Sequence, residues 1–342
     1  MSVSQHSRTP AGEFWEARPV AVTGAAGFLG SHLCEVLVGC GAQVAALDNL
    51  SQGSPANLAG VEPEIEWVEW DVAGDDPAPA ALREAEVIFH LAAVAHPGTC
   101  RDHPECARRV NVEGTRRVLE ACPAASRVVF LSGAITYGEP LALPLDELHP
   151  QRARDPYSLT KIMGECLCWL LGTTRGLRMT VVRNFSSYGP RQVGDYVVPG
   201  LIRQGLQEGR VTVRNGRPTR DFTYVEDTVE GLLAAAACEG LVGEVVNLGS
   251  GAETSIGTLA QVIAGLLGGL PIEDRGEPVM GSLRQCCQNR KLCRATGWRP
   301  RVSLREGLAG TIAWFERELP TLASAAAKEL SQNARQEPGG GR

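Results

Sequence analysis

The chain has 342 residues and a formal net charge of −6, with 44% hydrophobic residues and 11 cysteines. This length suits one large domain or two modest ones. The negative charge gives no reason to expect nucleic acid or membrane partners, and no apolar run approaches the ~20 residues that a membrane helix needs. The odd number of cysteines, without a CxxC pair or zinc-type spacing, indicates free thiols in a reducing, cytoplasmic protein and predicts no metal site.

The distribution of apolar, polar and turn-forming residues divides the chain into four segments. Residues 1–17 are polar and are expected to form a disordered leader. Over residues 18–185 strands and helices alternate, which predicts an α/β fold with a Rossmann-type, doubly wound parallel sheet. Residues 186–320 are rich in proline and glycine and are expected to form mainly a smaller C-terminal lobe, although 245–248 reads as a strand that returns to the main sheet. Residues 321–342 are rich in alanine, glutamine and glycine, and disorder is expected there.

The first motif with chemical content spans residues 20–31, where an apolar run, a glycine-rich turn and an amphipathic stretch follow one another. This order predicts a strand, a tight turn and a helix. Gly24 allows the sharp turn, Gly27 leaves room for a pyrophosphate against the backbone, and Gly30 lets the helix pack close to the strand. The helix N-terminus then offers free N–H groups and a positive dipole end to phosphates.

Acidic residues follow the next two predicted strands. Asp48 ends the strand 43–47, where a carboxylate can accept both hydroxyls of an adenosine ribose and repels a 2′-phosphate, which favours NAD over NADP. Asp71 follows the alternating stretch 64–70 and is placed to bond the adenine amino group, unless it only forms a turn. The buried strand 87–93 ends in small residues that leave room for a ligand. Residues 18–185 are therefore predicted to bind NAD.

Tyr157 and Lys161 form a YxxxK pair on the helix predicted over 157–171, and their spacing places them on one face. A tyrosine acts as a general acid or base only when its pKa falls from ~10 toward neutrality. The Lys161 ammonium and a nicotinamide cation would supply the positive charge, and the same ammonium can hold the nicotinamide ribose. On its own this pair is a frequent accident, but after the glycine turn and Asp48 it indicates a hydride-transfer site.

Together these motifs resemble the extended short-chain dehydrogenase/reductase family that acts on nucleotide-diphosphate sugars, namely the 4-epimerases, 4,6-dehydratases and uronate decarboxylases. The resemblance covers about residues 19–319. It rests on Thr23–Gly30, Asp48–Leu50, Asp71–Val72, His90–Ala93, Asn111–Gly114, Tyr157 with Lys161, Tyr188–Arg191, Arg220–Val225 and Gly297–Pro300. What it implies is a tightly held NAD that takes a hydride from sugar C4 and usually returns it.

The resemblance also implies roles for individual residues and a mode of assembly. Tyr157 would remove the C4 hydroxyl proton, and Arg220 would bind the diphosphate of a UDP- or dTDP-linked sugar. Helices predicted over 105–122 and 157–171 would pair across a homodimer as a four-helix bundle. The predicted cofactor-binding set is Gly24, Gly27, Phe28, Leu29, Gly30, Asp48, Asn49, Asp71, Val72, Leu91, Ala92, Ala93, Asn111, Tyr157 and Lys161.

The segment that follows the predicted strand 126–132 departs from the family pattern. The family normally has serine or threonine where this chain has Gly133, so the hydrogen bond to the reacting sugar oxygen would come from Ser132, from Thr136 or from water, or activity would be reduced. The next two residues, Ala134 and Ile135, cannot move protons, whereas dehydratases carry Asp-Glu there and decarboxylases carry Glu at the second position. We therefore take Ser132, with Tyr157 and Lys161, as the catalytic set and favour epimerisation.

Other departures concern substrate binding. Ser186 replaces the asparagine that is usual in the family, and the arginine usual near Gly281 is missing, so Arg275 or Arg284 would have to compensate. His96 follows the strand 87–93 and is placed to face the sugar, or else it is purely structural. The predicted substrate-binding residues are His96, Thr136, Ser186, Arg220 and Arg284.

Three hypotheses for function follow. The leading one is an NAD-dependent enzyme that oxidises a nucleotide sugar at C4 and acts as a 4-epimerase. An alternative is a UDP-glucuronate decarboxylase or a 4,6-dehydratase that leaves a 4-keto sugar. A third is a catalytically silent NAD- or nucleotide-binding protein. The departures from the family pattern at Gly133, Ser186 and Gly281 suggest it.

Overall fold

The computed structural model describes residues 12–279 and 281–319, so most of the predicted leader and the whole tail 321–342 lie outside the described residues. Twelve strands are described: β1 Pro19–Thr23, β2 Gln43–Asp48, β3 Ile65–Glu69, β4 Val87–His90, β5 Arg127–Gly133, β6 Arg178–Asn184, β7 Ser186–Tyr188, β8 Val211–Val213, β9 Thr219–Tyr224, β10 Glu244–Leu248, β11 Glu253–Ser255 and β12 Ile272–Asp274.

The helices in the same ranges are α1 Gly12–Trp15, α2 Phe28–Gly39, α3 Ala80–Glu84, α4 Pro97–Asp102, α5 Pro104–Arg108, α6 Thr115–Ala121, α7 Pro156–Arg175, α8 Val197–Glu208, α9 Val225–Ala237, α10 Ile256–Leu266, α11 Arg290–Thr296 and α12, residues 304–319. A π-helical segment, Arg109–Gly114, joins α5 to α6. Short 3₁₀ turns occupy Pro55–Leu58, Glu62–Glu64, Ala134–Tyr137 and Glu239–Leu241.

Seven strands form one parallel sheet in the order β10-β6-β5-β4-β1-β2-β3. Successive side chains of β1 point to opposite faces, so Val20 and Val22 enter one apolar core and Ala21 enters the other. Both faces are thus covered, which confirms the predicted Rossmann-type doubly wound sheet. The order reverses between β1 and β4, and ligands of such sheets bind at the carboxyl ends of the strands near this reversal.

The chain beyond Ser186 builds two small sheets, β11-β9-β7 and β12-β8. Together with α8, α10 and α12 they enclose a separate apolar core. β10 pairs in parallel with β6, so the predicted return of residues 245–248 to the main sheet is confirmed. α9 packs on β5 and β6 of the main sheet and also contacts β7 and β9 of the small sheet.

The predicted disordered leader is wrong for residues 12–17. Gly12–Trp15 form α1, and Trp15 is completely buried with its ring 5.9 Å from that of Phe89. A single indole buries enough apolar surface to fix a short polar segment, which the average composition of the segment conceals.

Two predicted helices also differ in detail. The helix expected over 105–122 contains the π-helical segment, and the helix expected from residue 157 to 171 continues to Arg175. Gly176 ends it in the left-handed conformation that glycine favours (φ +72°). Among the described helices, none is long and apolar enough to cross a membrane.

Candidate active site

The glycine turn between β1 and α2 has little free space. Gly24 has φ +74°, and a Cβ there would lie 2.8 Å from the backbone nitrogen of Ala92. A Cβ on Gly30 would lie 2.1 Å from the Gly24 carbonyl oxygen, and one on Gly27 would lie 3.2 Å from the same atom. The roles predicted for Gly24 in the turn and for Gly30 in helix packing therefore agree with the geometry.

The first turn of α2 and the end of β2 together fit a dinucleotide. The N–H groups of Phe28, Leu29 and Gly30 have no protein acceptor within the described chain and lie at the positive end of a 12-residue helix. Asp48 accepts hydrogen bonds from the backbone of Ala26 at 3.0 Å and of Leu50 at 2.8 Å. These bonds fix its carboxylate beside the turn, where the remaining oxygen lone pairs can face ribose hydroxyls.

Burial is the main influence on Asp48 and raises its pKa, while backbone donors lower it. The predicted neighbours of the adenosine lie at the same end of the sheet. Asn49 is exposed, Asp71 is half-buried and accepts a hydrogen bond from Ala73 at 2.9 Å, and Val72 packs against Gly114. Leu91, Ala92 and Ala93 follow β4 and are half-buried. The cradle and its donors thus suit NAD.

Asn111 has different partners from those predicted. It is only 1% exposed, and its amide bonds both backbone groups of Val94 and the hydroxyl of Thr160, at 2.8–3.0 Å. These bonds use both N–H groups of the amide within the protein, while the amide oxygen keeps one lone pair. The side chain ties the segment after β4 to α7, which carries Tyr157 and Lys161.

His90 is a residue that sequence reasoning did not single out by itself. Its two ring nitrogens lie 2.7 Å from the Thr23 hydroxyl and 2.9 Å from the Thr115 hydroxyl. Complete burial lowers its pKa to about 3, and the charge on Lys161 adds to the effect. His90 is therefore a neutral bridge between β1, β4 and α6 beneath the cofactor turn.

Tyr157 and Lys161 lie in the first turns of α7, which an Asp155–Ser158 capping box starts. The Lys161 ammonium donates to the carbonyl oxygen of Leu131 at 2.8 Å, and burial lowers its pKa to about 8, so it remains charged at pH 7. Burial also raises the pKa of Tyr157, and the neighbouring Tyr196 is the next contributor. None of the described residues that influence this pKa lowers it, so the protein surroundings alone keep the phenol protonated at neutral pH.

The Ser132 hydroxyl already has an acceptor within the protein. Its hydroxyl donates to Glu165 at 2.5 Å and is buried behind β5. Glu165 also forms a buried ion pair with Arg183 at 2.7 Å and accepts from Gln151 at 2.9 Å. The hydroxyl that sequence analysis assigned to catalysis is therefore held by a carboxylate of α7.

Thr136 is likewise not placed as predicted. It is fully buried, and its hydroxyl donates to the carbonyl oxygen of Gly133 at 2.9 Å. Gly133 itself is half-exposed and extended, and a Cβ there would meet its nearest neighbour, the Asn184 carbonyl oxygen, at 3.6 Å. The space at residue 133 thus accommodates a side chain. Packing does not require glycine there, although glycine leaves the site without a hydroxyl at this position.

A buried polar network missed by sequence reasoning supports this strand end. Arg183 donates to the Tyr137 hydroxyl at 3.2 Å, which donates to Asn247 at 2.6 Å. Glu147 accepts from the backbone of Asn247 at 2.8 Å, so β5, β6, β10 and the loop 139–155 are linked. Removing one member of the Glu165–Arg183 pair would leave a buried charge without its partner.

The predicted substrate residues on the second lobe fall into two groups. Arg220 is half-buried, donates only to carbonyl oxygens of Thr219 and Ser282, and makes no ion pair within residues 12–279 and 281–319. Arg284 instead forms an exposed, two-bond ion pair with Glu253 at 2.6 and 2.7 Å. Arg284 was predicted to compensate for the missing arginine near Gly281, but its guanidinium is already paired with Glu253.

The remaining substrate candidates lie on loops near the same sheet edge. Ser186 is half-buried at the start of β7. His96 is the N-cap residue of α4, and its Nδ1 accepts from the backbone of Thr99 at 3.3 Å. Its ring also contacts that of Tyr196 edge-to-face, with 5.5 Å between centroids. In the ranges that the structure describes, no group of three or more His, Cys, Asp and Glu residues could hold a metal ion.

Comparison with known proteins places the chain among nucleotide-sugar enzymes. Residues 20–249 match the model of the NAD dependent epimerase/dehydratase family. A UDP-glucose 4-epimerase of Mycolicibacterium smegmatis is 35% identical over 87% of this chain and 98% of its own length. A UDP-N-acetyl-alpha-D-glucosaminuronate decarboxylase of Bacillus cytotoxicus is 33% identical, with 86% and 96% covered. The crystal structure of a UDP-glucuronic acid 4-epimerase from Bacillus cereus, in complex with UDP-glucuronic acid and NAD, has a TM-score of 0.78 at 27% identity, with 87% and 99% covered.

Proposed function

The chain belongs to the NAD-dependent epimerase/dehydratase family, and we propose that within it the protein is a 4-epimerase of a UDP-linked hexose. The observation that carries this choice is the end of β5, where Ala134 and Ile135 offer no acid. A decarboxylation or a dehydration needs groups that move protons at C5 or C6, whereas epimerisation needs only proton transfer at the C4 oxygen.

NAD is the cofactor, and it supplies a hydride acceptor for C4 of the sugar. The Gly24–Gly30 turn would hold its pyrophosphate, and Asp48 would hold the adenosine ribose. Lys161, charged at pH 7 and fixed by the Leu131 carbonyl, would hold the nicotinamide ribose.

Tyr157 would take the proton of the C4 hydroxyl as the hydride leaves C4, and would return it when the hydride returns to the opposite face. Burial and Tyr196 raise the pKa of Tyr157, so its deprotonation would need the positive charge that the bound, oxidised cofactor supplies. Arg220, which lacks an ion-pair partner in the described chain, would bind the diphosphate.

Product analysis tests this proposal. The purified protein is incubated with UDP-glucose, UDP-glucuronic acid and dTDP-glucose, and the products are analysed by mass spectrometry and NMR. Epimerisation leaves the mass unchanged and inverts C4, whereas loss of CO₂ or water would favour the decarboxylase or dehydratase. Tyr157→Phe should lower turnover at least 100-fold while NAD stays bound. NAD-bound protein inert toward all three sugars would support the silent alternative.

We also propose a homodimer formed through α7 and the α5–α6 region. An apolar stripe lies on the outer face of α7, where Leu159, Met163, Cys166 and Leu170 recur at helical spacing and are exposed. Leu159→Glu should shift the protein to a monomer in analytical ultracentrifugation. Leu148→Glu is the matched control, because Leu148 is also exposed but lies on a loop and not on α7.

All eleven cysteines are free, which supports our proposal that the enzyme works in the reducing cytoplasm. The protein is purified without reductant, unfolded in denaturant, and only then treated with a thiol reagent. This titration should return eleven thiols per chain. A lower number would indicate disulfides and contradict this location.

A further inference from the structure

Tyr196 lies next to the proposed site, and neither the motifs nor the proposed reaction uses it. It directly precedes α8, on the loop that leaves β7. Its hydroxyl makes no hydrogen bond with any described residue, and the same holds for the hydroxyl of Tyr157. Two half-buried phenols whose hydroxyls have no partner among the described residues thus lie near one another.

The position of Tyr196 is fixed from two sides. Its ring packs edge-to-face on His96, with 5.5 Å between centroids and 85° between planes. His96 is the N-cap of α4, and α4 packs against α7, which carries Tyr157. Tyr157 and Tyr196 are also electrostatic neighbours of each other and of the buried Cys100.

The loop before Tyr196 is anchored to the cofactor side. Arg191 forms an ion pair with Glu35 of α2 at 2.5 Å and donates to Ser31 at 3.3 Å. The Gly194 carbonyl accepts a hydrogen bond from Arg203 of α8 at 2.8 Å. A side chain held between two such anchors loses little further freedom when it binds a ligand, which favours a substrate contact.

We propose that Tyr196 presents its hydroxyl to the sugar and makes the substrate hydrogen bond that Gly133 cannot make. This inference rests on the proposed function and names a residue of the same site. Burial raises the pKa of Tyr196, so the phenol stays protonated and can donate throughout the neutral range. His96 acts as a positioning residue, since its ring supports that of Tyr196.

A double-mutant cycle tests the proposal. Tyr196→Phe in the NAD-bound enzyme should lower kcat/KM about 10- to 100-fold, the loss expected for one donor to the reacting sugar. In the Gly133→Ser background the same substitution should cost less than about threefold, because the serine restores a donor. Tyr224→Phe is the control: Tyr224 is also half-buried, but its ring lies against Tyr188 and α12. An equal loss in both backgrounds, or no loss in either, would overturn the inference.

Calorimetric binding separates this inference from the proposed function. The probes are UDP-glucose and UDP alone. Tyr196→Phe should weaken UDP-glucose about tenfold and leave UDP unchanged, because only the sugar reaches the phenol. A wild type that binds UDP-glucose without turnover contradicts the 4-epimerase alone. Equal UDP-glucose affinity in wild type and Tyr196→Phe, or no UDP-glucose binding to the wild type, overturns the role of Tyr196.

Discussion

Gly30 and Gly133 occupy opposite parts of one site and are glycines for different reasons. A Cβ on Gly30 would lie 2.1 Å from a backbone oxygen, whereas a Cβ on Gly133 would have its nearest neighbour at an ordinary 3.6 Å. The cofactor side therefore needs glycine for the fold itself. At residue 133, on the sugar side, a serine would fit. Packing therefore does not require this glycine, and its effect is to remove a hydroxyl from the site.

The two sides also differ in how their polar groups are satisfied. On the cofactor side, Asp48 and the first N–H groups of α2 keep capacity for a ligand. Among the residues predicted for catalysis and sugar binding, Ser132 and Thr136 donate their hydroxyls to protein acceptors, and Arg284 is held by Glu253. A prediction from residue types alone therefore counts too many groups as available to bind the sugar. It also misses Tyr196.

The largest effect is expected at His90, which joins β1 and β4 under the cofactor turn. Its pKa is about 3 in the folded protein and 6.5 when unperturbed. Because the unfolded chain binds the proton first, the free energy of unfolding should fall by about 4 to 5 kcal/mol as the pH drops from 6.5 to 3. Denaturant unfolding of wild type and His90→Gln across this range measures the difference, since the carboxylates contribute equally to both. Parallel curves would contradict a neutral, buried His90.

The next largest effect is expected for Gly30→Ala. It should lower the free energy of unfolding by about 3 kcal/mol, because the new methyl group meets backbone that cannot move aside. Bound NAD, released by heat and quantified, should be largely lost. Gly39→Ala is the matched control, since Gly39 is in the same helix with open space around its Cβ position. Retention of NAD by Gly30→Ala would break the distinction between the two glycines.

Arg220 and Arg284 offer the corresponding test on the sugar side. Arg220→Ala should raise KM for a UDP-hexose about 10- to 100-fold, the range for a lost hydrogen bond to a charged group. Arg284→Ala should stay within about twofold, because Glu253 already holds that guanidinium in an exposed ion pair. Steady-state kinetics of both variants measures the contrast, and a larger effect at Arg284 would reverse it.

Gly133→Ser should have the smallest effect, a gain in kcat of at most about tenfold, because Tyr196 already supplies a donor. Gly133→Ala adds the Cβ without the hydroxyl and should change kcat less than about twofold, since the space allows it. A loss of activity in both variants would show that the space at Gly133 is used by the substrate.

Much of the fold follows from local pattern. The strand–turn–helix at residues 20–31, the acidic end of β2 and the helix that carries Tyr157 and Lys161 all appear as predicted. Trp15 was missed because one buried ring outweighs a polar segment around it, and the π-helical segment was missed because it keeps a helical pattern of apolar residues.

The sequence by itself determined the family, the cofactor and the tyrosine–lysine pair, because each depends on residues close together in the chain whose spacing defines their geometry. Only the tertiary structure decided which hydroxyls and guanidinium groups are free. Ser132 is paired by a carboxylate 33 residues away, and Tyr196 is brought beside Tyr157 by contacts with His96 on another loop. Such pairings depend on how strands alternate and how distant helices pack, which no local spacing records.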